Sequence, residues 1–208
     1  MEGPPAEGLV VVDNFLDDPD EVRAFALKAE YVPAWGSWQG LHSLERHPGT
    51  REVLFQIAAL VSSRSPNWDE IDASYQYWKK ASCGGFAAMF SGDEGVIHAH
   101  RRSGDWAGVV YLSTPEDCRD RPGTVFFRHR ATGLNRITRA DELEEPEEAA
   151  LADCRDARAW TELGAVPMGY NRLVLFDSRY FHSASAGFGA DLASCRLIQV
   201  FNFCLIPE

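Results

Sequence analysis

The sequence predicts a mainly β protein with flanking helices, of the sandwich, barrel or jelly-roll kind. Short runs rich in aromatic and β-branched residues recur from residue 73 onward, separated by Gly, Pro, Asp and Ser clusters. Few helical patterns interrupt them, which argues against an alternating α/β plan. The two clear amphipathic helices fall before residue 66, in position to cover the outer face of one sheet.

The elements follow in order. Residues 8–12 read as a short Val-rich strand. Asp18, Pro19 and Glu21 then form a helix start: an N-cap, a proline at the first position and an acid able to bond back. Val22, Phe25, Ala26 and Ala29 fall on one face of that helix. A second helix starts near Thr50, with Val53, Leu54, Ile57, Leu60 and Val61 as its apolar stripe. Residues 31–49 between them, which carry Trp35 and Trp38, read as an ordered loop. Strands are expected over 73–79, 86–90, 96–100, 107–112, 124–128, 171–176, 180–183 and 196–205. Residues 138–163 are strongly acidic and alanine-rich, and read as a helical insertion serving as a lid or as a solvated excursion. One domain is expected over 1–208: a helical buttress at 13–66 and a rolled core at 70–206 with the insertion at 138–163.

The 208 residues suit a single core, and 45% hydrophobic with 25% charged residues is ordinary globular composition. The net charge of −11 repels nucleic-acid phosphates and anionic membranes, so neither is an expected partner. Five scattered cysteines without a Cys-x-x-Cys pair argue against a disulfide framework or a structural zinc site. No apolar stretch is long enough to span a bilayer, and residues 1–8 lack the basic and apolar regions of a secretory leader. A cytoplasmic location is the expectation.

Chemistry concentrates in three of the six histidines. Alternate residues of a strand share a face, so His98 and His100 point the same way, with Cα atoms about 6.5–7 Å apart. Two such imidazoles can converge on one metal ion, and imidazole suits iron, copper, zinc and nickel. His-x-His is a weak signal by itself. His182, after the apolar strand 173–176, is the candidate third ligand, because a jelly roll brings late strands back across early ones.

With its surroundings, this pattern resembles the metal-binding region of 2-oxoglutarate and Fe(II)-dependent oxygenases, the prolyl-hydroxylase-like branch in particular. The residues that carry the resemblance are Val96-Ile97-His98-Ala99-His100, the segment from Asp105 and Trp106 to Val110-Tyr111-Leu112, the distal His182, and Arg196 in Cys195-Arg196-Leu197-Ile198-Gln199-Val200-Phe201. It covers roughly residues 70–205 and accommodates the opening Val-Val-Asp-Asn-Phe-Leu followed by a helix. It implies a double-stranded β-helix, the cupin-like jelly roll. It also implies a non-haem iron oxygenase that uses Fe(II), 2-oxoglutarate and O2 to oxidise an unactivated C–H bond of a small molecule. Its metal ligands would be His98, His100 and His182, with Arg196 and Tyr111 binding the cosubstrate.

The chain departs from this family at His100, where the pattern has Asp. Asp105 is the alternative carboxylate ligand, which would leave His100 outside the coordination sphere. A three-histidine cupin-type dioxygenase that needs no 2-oxoglutarate is the alternative enzyme, and a non-catalytic jelly-roll binding module the alternative to catalysis. Arg196 shares a strand face with Ile198, Val200 and Asn202, so its charge needs an anionic partner: a cosubstrate carboxylate or an internal Asp or Glu. Arg128 and Arg130, around His129, form a basic cluster that either receives a substrate anion or pairs with the acidic insertion. Trp106 and Tyr111 are candidate pocket walls.

Overall fold

From residue 85 onward, the chain passes back and forth between two antiparallel sheets, with one pairing of successive strands, Pro122–His129 with Trp160–Pro167, made within the smaller. A computed structural model of the protein describes residues 3–34, 39–62, 83–100, 106–138 and 143–203. Its strands are β1 (Leu9–Val12), β2 (Tyr31–Pro33), β3 (Leu41–Arg46), β4 (Gly85–Met89), β5 (Trp106–Tyr111), β6 (Pro122–His129), β7 (Trp160–Pro167), β8 (Leu173–Asp177), β9 (His182–Ala184) and β10 (Arg196–Phe203). Its helices are α1 (Pro19–Ala26), α2 (Thr50–Val61), α3 (Pro115–Cys118) and α4 (Glu145–Ala152). The large sheet runs β1-β8-β5-β10-β4-β3-β2 and the small one β7-β6-β9. An isolated antiparallel bridge between His98 and His182 adds one position to the small sheet beyond β9. Chain order thus visits large, small, large, small, small, large, small, large. This is a double-stranded β-helix, as expected.

Three apolar layers hold it together. On the outer face of the large sheet, Val22 and Ala26 of α1 and Leu54 and Ile57 of α2 pack against residues such as Phe86 and Phe201. Each large side chain buried there contributes roughly 1.5–3 kcal/mol. The helix starts as its sequence dictates, with Asp18 Oδ1 accepting from the Glu21 amide at 2.9 Å. Between the sheets, Tyr111, Val174, Phe176, Ile198 and Val200 face Phe126 and Val166. Outside the small sheet, Ile97 and Phe181 pack under Ile137, Ala150 and Trp160. Because side chains alternate along a strand, Phe181 outside requires His182 inside, and Ile97 outside requires His98 inside.

Several expectations are corrected. Within 31–49, expected as an ordered loop, Tyr31–Pro33 and Leu41–Arg46 are strands β2 and β3, which extend the large sheet beyond β4. Gly40 marks the approach, since a Cβ on its positive-φ backbone would lie 2.1 Å from the Ala88 carbonyl oxygen. Among the described residues of the insertion, α4 and a short 3-10 helix at Ala157–Ala159 are helical, and Trp160–Pro167 is a full strand of the small sheet. Acidic and alanine content masked the alternation that begins at Trp160. Residues 96–100 contribute only the single bridge at His98 rather than a strand. The strand expected at 73–79, along with Trp35, Trp38 and Asp105, lies outside the described residues. Among the described residues, no helix is long and apolar enough to cross a membrane.

Candidate metal centre

His98 and His182 are joined before their side chains are considered. Each backbone N–H donates to the other's carbonyl, both at 2.9 Å. Such a mutual pair fixes two side chains on one face. The His100 amide donates to the Ser178 carbonyl at 2.8 Å, which ties the third residue to the β8–β9 turn. The ring centroids lie 5.0 Å apart for His98 and His100, 4.3 Å for His98 and His182, and 5.2 Å for His100 and His182. One ligand atom from each of the three lies within 4.8 Å of the others. Phe176 braces the set, its ring 4.5 Å from that of His182.

The second nitrogens settle two of the tautomers. His98 Nδ1 lies 2.8 Å from the Val96 carbonyl and His182 Nδ1 lies 2.7 Å from the Tyr180 carbonyl. A carbonyl only accepts, so each Nδ1 carries the proton and each Nε2 presents a lone pair. This arrangement is the one found behind metal-bound imidazoles. Burial, and then the neighbouring His98, push the His100 pKa down to about 3. Burial and the other two rings hold His182 well below its ordinary value. Burial also lowers His98, against an opposing bond to the Val96 carbonyl. All three rings are neutral at neutral pH, so no proton must leave before a cation binds.

The histidines form one wall of a pocket with about 430 Å3 of atom-free space, counting its open mouth. Ala107, Val109, Phe176 and Val200 make its apolar sides, and Arg196, Thr124 and Asn202 supply its polar groups. Arg196 is 1% exposed. Its Nη1 donates to Ser185 Oγ at 3.0 Å and to Met168 Sδ at 3.3 Å, and its Nη2 donates to the Gly123 carbonyl at 3.1 Å. Its Nε is buried without a partner. No acidic side chain among the described residues pairs with it, so the internal salt bridge weighed from sequence is absent there. The guanidinium lies over the Tyr111 ring, 5.3 Å from its centroid. Tyr111 Oη is 2.9 Å from Thr124 Oγ1. A Cβ on Gly123 would sit 2.4 Å from that phenol oxygen, so only glycine lets β6 pass here.

Other candidates fall elsewhere. Trp106 packs against the outer layer, on the face opposite Ala107 and Val109, and does not line the pocket. Arg130 Nε donates to the Trp160 carbonyl, and His129 Nε2 lies 3.1 Å from Asp153 Oδ2, so both join the insertion side of the small sheet. Neither Arg128 nor Arg130 lines the pocket. Thr124, Ser185 and Met168 were not anticipated. Alternation from Phe126 would have placed Thr124 inward, but Ser185 and Met168 lie in connections whose course no periodicity reveals.

Fold and site together define a double-stranded β-helix carrying a three-histidine cluster beside a buried arginine. A family of unknown function, DUF6445, matches residues 98–197, the stretch that holds all four of these residues. No curated protein matches the chain. Among solved structures, a Pseudomonas putida prolyl-4-hydroxylase is similar at 16% identity and TM-score 0.47, covering 95% of this chain and 92% of its own. The α-ketoglutarate-dependent carbocyclase SnoK of nogalamycin biosynthesis gives 14%, 0.48, 94% and 79%. HygX of Streptomyces hygroscopicus, solved with nickel and 2-oxoglutarate bound, gives 11%, 0.48, 94% and 82%.

Proposed function

We propose that the chain is a mononuclear non-haem iron oxygenase in which His98, His100 and His182 hold Fe(II) and Arg196 binds 2-oxoglutarate. One observation carries this reading. Three neutral imidazoles meet at one wall of a pocket that also holds a buried guanidinium with no acid among the described residues to balance it. A buried unpaired charge is costly, so a ligand carboxylate is the partner the site lacks. Iron, 2-oxoglutarate and O2 together supply the oxidising power to break an unactivated C–H bond, with release of succinate and CO2.

The chain's own groups do the rest. The Val96 and Tyr180 carbonyls hold two imidazoles with Nε2 turned to the shared space. Arg196 offers a planar fork to the distal carboxylate. The Thr124 hydroxyl, linked to Tyr111, lines the same pocket as a further polar partner. Ala107, Val109 and Val200 keep the walls apolar and displace water from the reacting region.

His100 favours a second reading. If His98, His100 and His182 are the whole ligand set, no carboxylate offsets the ion's charge, as in a three-histidine dioxygenase that needs no cosubstrate. The test is succinate release by the Fe(II)-loaded protein with 2-oxoglutarate, O2 and a panel of small molecules. Succinate formation that disappears in Arg196→Ala is the expected result. Metal binding without 2-oxoglutarate consumption would select the second reading, and failure to bind Fe(II) or Ni(II) would sink both.

A further inference from the structure

Asn202 is a polar residue that the proposed chemistry leaves unused. It sits on the inner face of β10, after Arg196, Ile198 and Val200, and lines the same pocket. It is 9% exposed. Its side-chain amide makes no hydrogen bond among the described residues. The residue is nine-tenths buried, yet its amide atoms are not among the fully enclosed ones, so its polar edge opens onto the pocket with no protein partner among the described residues. Ile198 and Val200, the two positions before it on that face, are apolar.

Its position says which molecule it meets. Asn202 pairs with Ala107, and Ala107 with Phe176, the residue whose ring touches His182. This row crosses the large sheet at the histidine end of the pocket. Arg196 lies six residues further along the same strand, about 20 Å away at about 3.4 Å per residue. Arg196 bonds to Ser185, three residues from His182, so a five-carbon dicarboxylate between Arg196 and the histidines ends short of the Asn202 row.

We infer that Asn202 recognises the molecule to be oxidised, through a paired hydrogen bond to an uncharged group with one donor and one acceptor, such as an amide. Among the described residues, no charged side chain lines the pocket at this end; the three histidines apart, Ala107, Val109, Phe176 and Val200 make its walls. A carboxamide offers N–H and C=O side by side, which matches an amide edge and is mismatched to an ester or hydrocarbon. Buried polar groups placed this way set specificity, because an analogue without the partner leaves them unpaired. The inference rests on the oxygenase reading for the word "oxidised", but the recognition itself is open to test in metal-free protein.

The probe is N-methylacetamide, compared with methyl acetate, which has the same shape and no donor. The side-chain amide resonances of Asn202, assigned by their loss in Asn202→Asp, are followed by NMR. The amide should shift them saturably, and methyl acetate should bind about tenfold more weakly, the effect of one lost hydrogen bond. Asn202→Leu keeps the branched outline and removes the polar edge. It should abolish the preference for the amide while leaving Ni(II) and 2-oxoglutarate affinities unchanged. Unmoved Asn202 resonances, equal affinity for the two probes, or a Leu variant that also loses Ni(II) would each overturn the inference. Absence of Ni(II) binding in the wild-type protein would instead strike the oxygenase reading, since the probe measurements need no metal.

Discussion

Buried polar groups in this protein fall into two populations. Asn171 holds the positive-φ position before β8, and its amide both accepts from the Leu16 N–H at 2.8 Å and donates to the Leu16 carbonyl at 2.9 Å. Arg172 bridges to Asp13 at 2.6 Å and Arg179 forks onto Asp177, with Nε 2.8 Å from Oδ1. Arg196 is more deeply buried than either of these arginines, yet it has only neutral acceptors. Arg172 and Arg179 thus have carboxylate partners, whereas Arg196, inside the pocket, has none among the described residues. Removing a satisfied group should damage stability and spare binding. Removing an unsatisfied one should do the reverse.

The largest expected effect is at the histidines. His182→Ala should weaken Ni(II) or Fe(II) binding by more than about a hundredfold, read by equilibrium dialysis, because loss of a ligand exceeds loss of its supporting partner. Arg196→Met comes next. It should weaken 2-oxoglutarate binding by about thirtyfold or more, in keeping with loss of a buried charged partner, while the urea midpoint holds or rises as an unbalanced buried charge disappears. A sharp drop in the midpoint would put Arg196 in the bracing population. Asn171→Ala should show the opposite signature: about 2 kcal/mol lost in urea unfolding, with metal affinity unchanged.

The smallest effect is at Asp177. Burial raises its pKa, but hydrogen bonds and charge from Arg179 more than offset this and hold it below the ordinary carboxylate value. A lowered folded pKa means stability that is present above the unfolded value near 3.9 and lost as pH falls through the folded one. Asp177→Asn should remove that acid-limb contribution, less than about 1 kcal/mol for a partly exposed pair, with no change in binding at pH 7.

Much of this was legible because β-structure writes its faces into alternation. His98 with His100, and Arg196 with Ile198, Val200 and Asn202, were assigned to faces by counting in twos. The same count, applied to β5, puts Trp106 on the face opposite Ala107, Val109 and Tyr111. β2 and β3 escaped because they are edge strands in a Gly- and Trp-containing segment and are set by pairing with β4 rather than by their own pattern. β7 escaped because Trp160 follows directly on an alanine-rich acidic stretch. The acceptors around Arg196 could not be read at all. Ser185 and Met168 reach it from two separate connections, and the Gly123 carbonyl from the start of β6.

The reciprocal bridge between His98 and His182 has a mechanical side. Residues 96–100 meet the small sheet at one rung, with no ladder above or below it to stop fraying. An ion gripped by side chains on both partners would act as a rivet through that single rung. The rim of the roll and the coordination sphere would then open and close together, so that losing the ion would loosen the very seam along which it had entered.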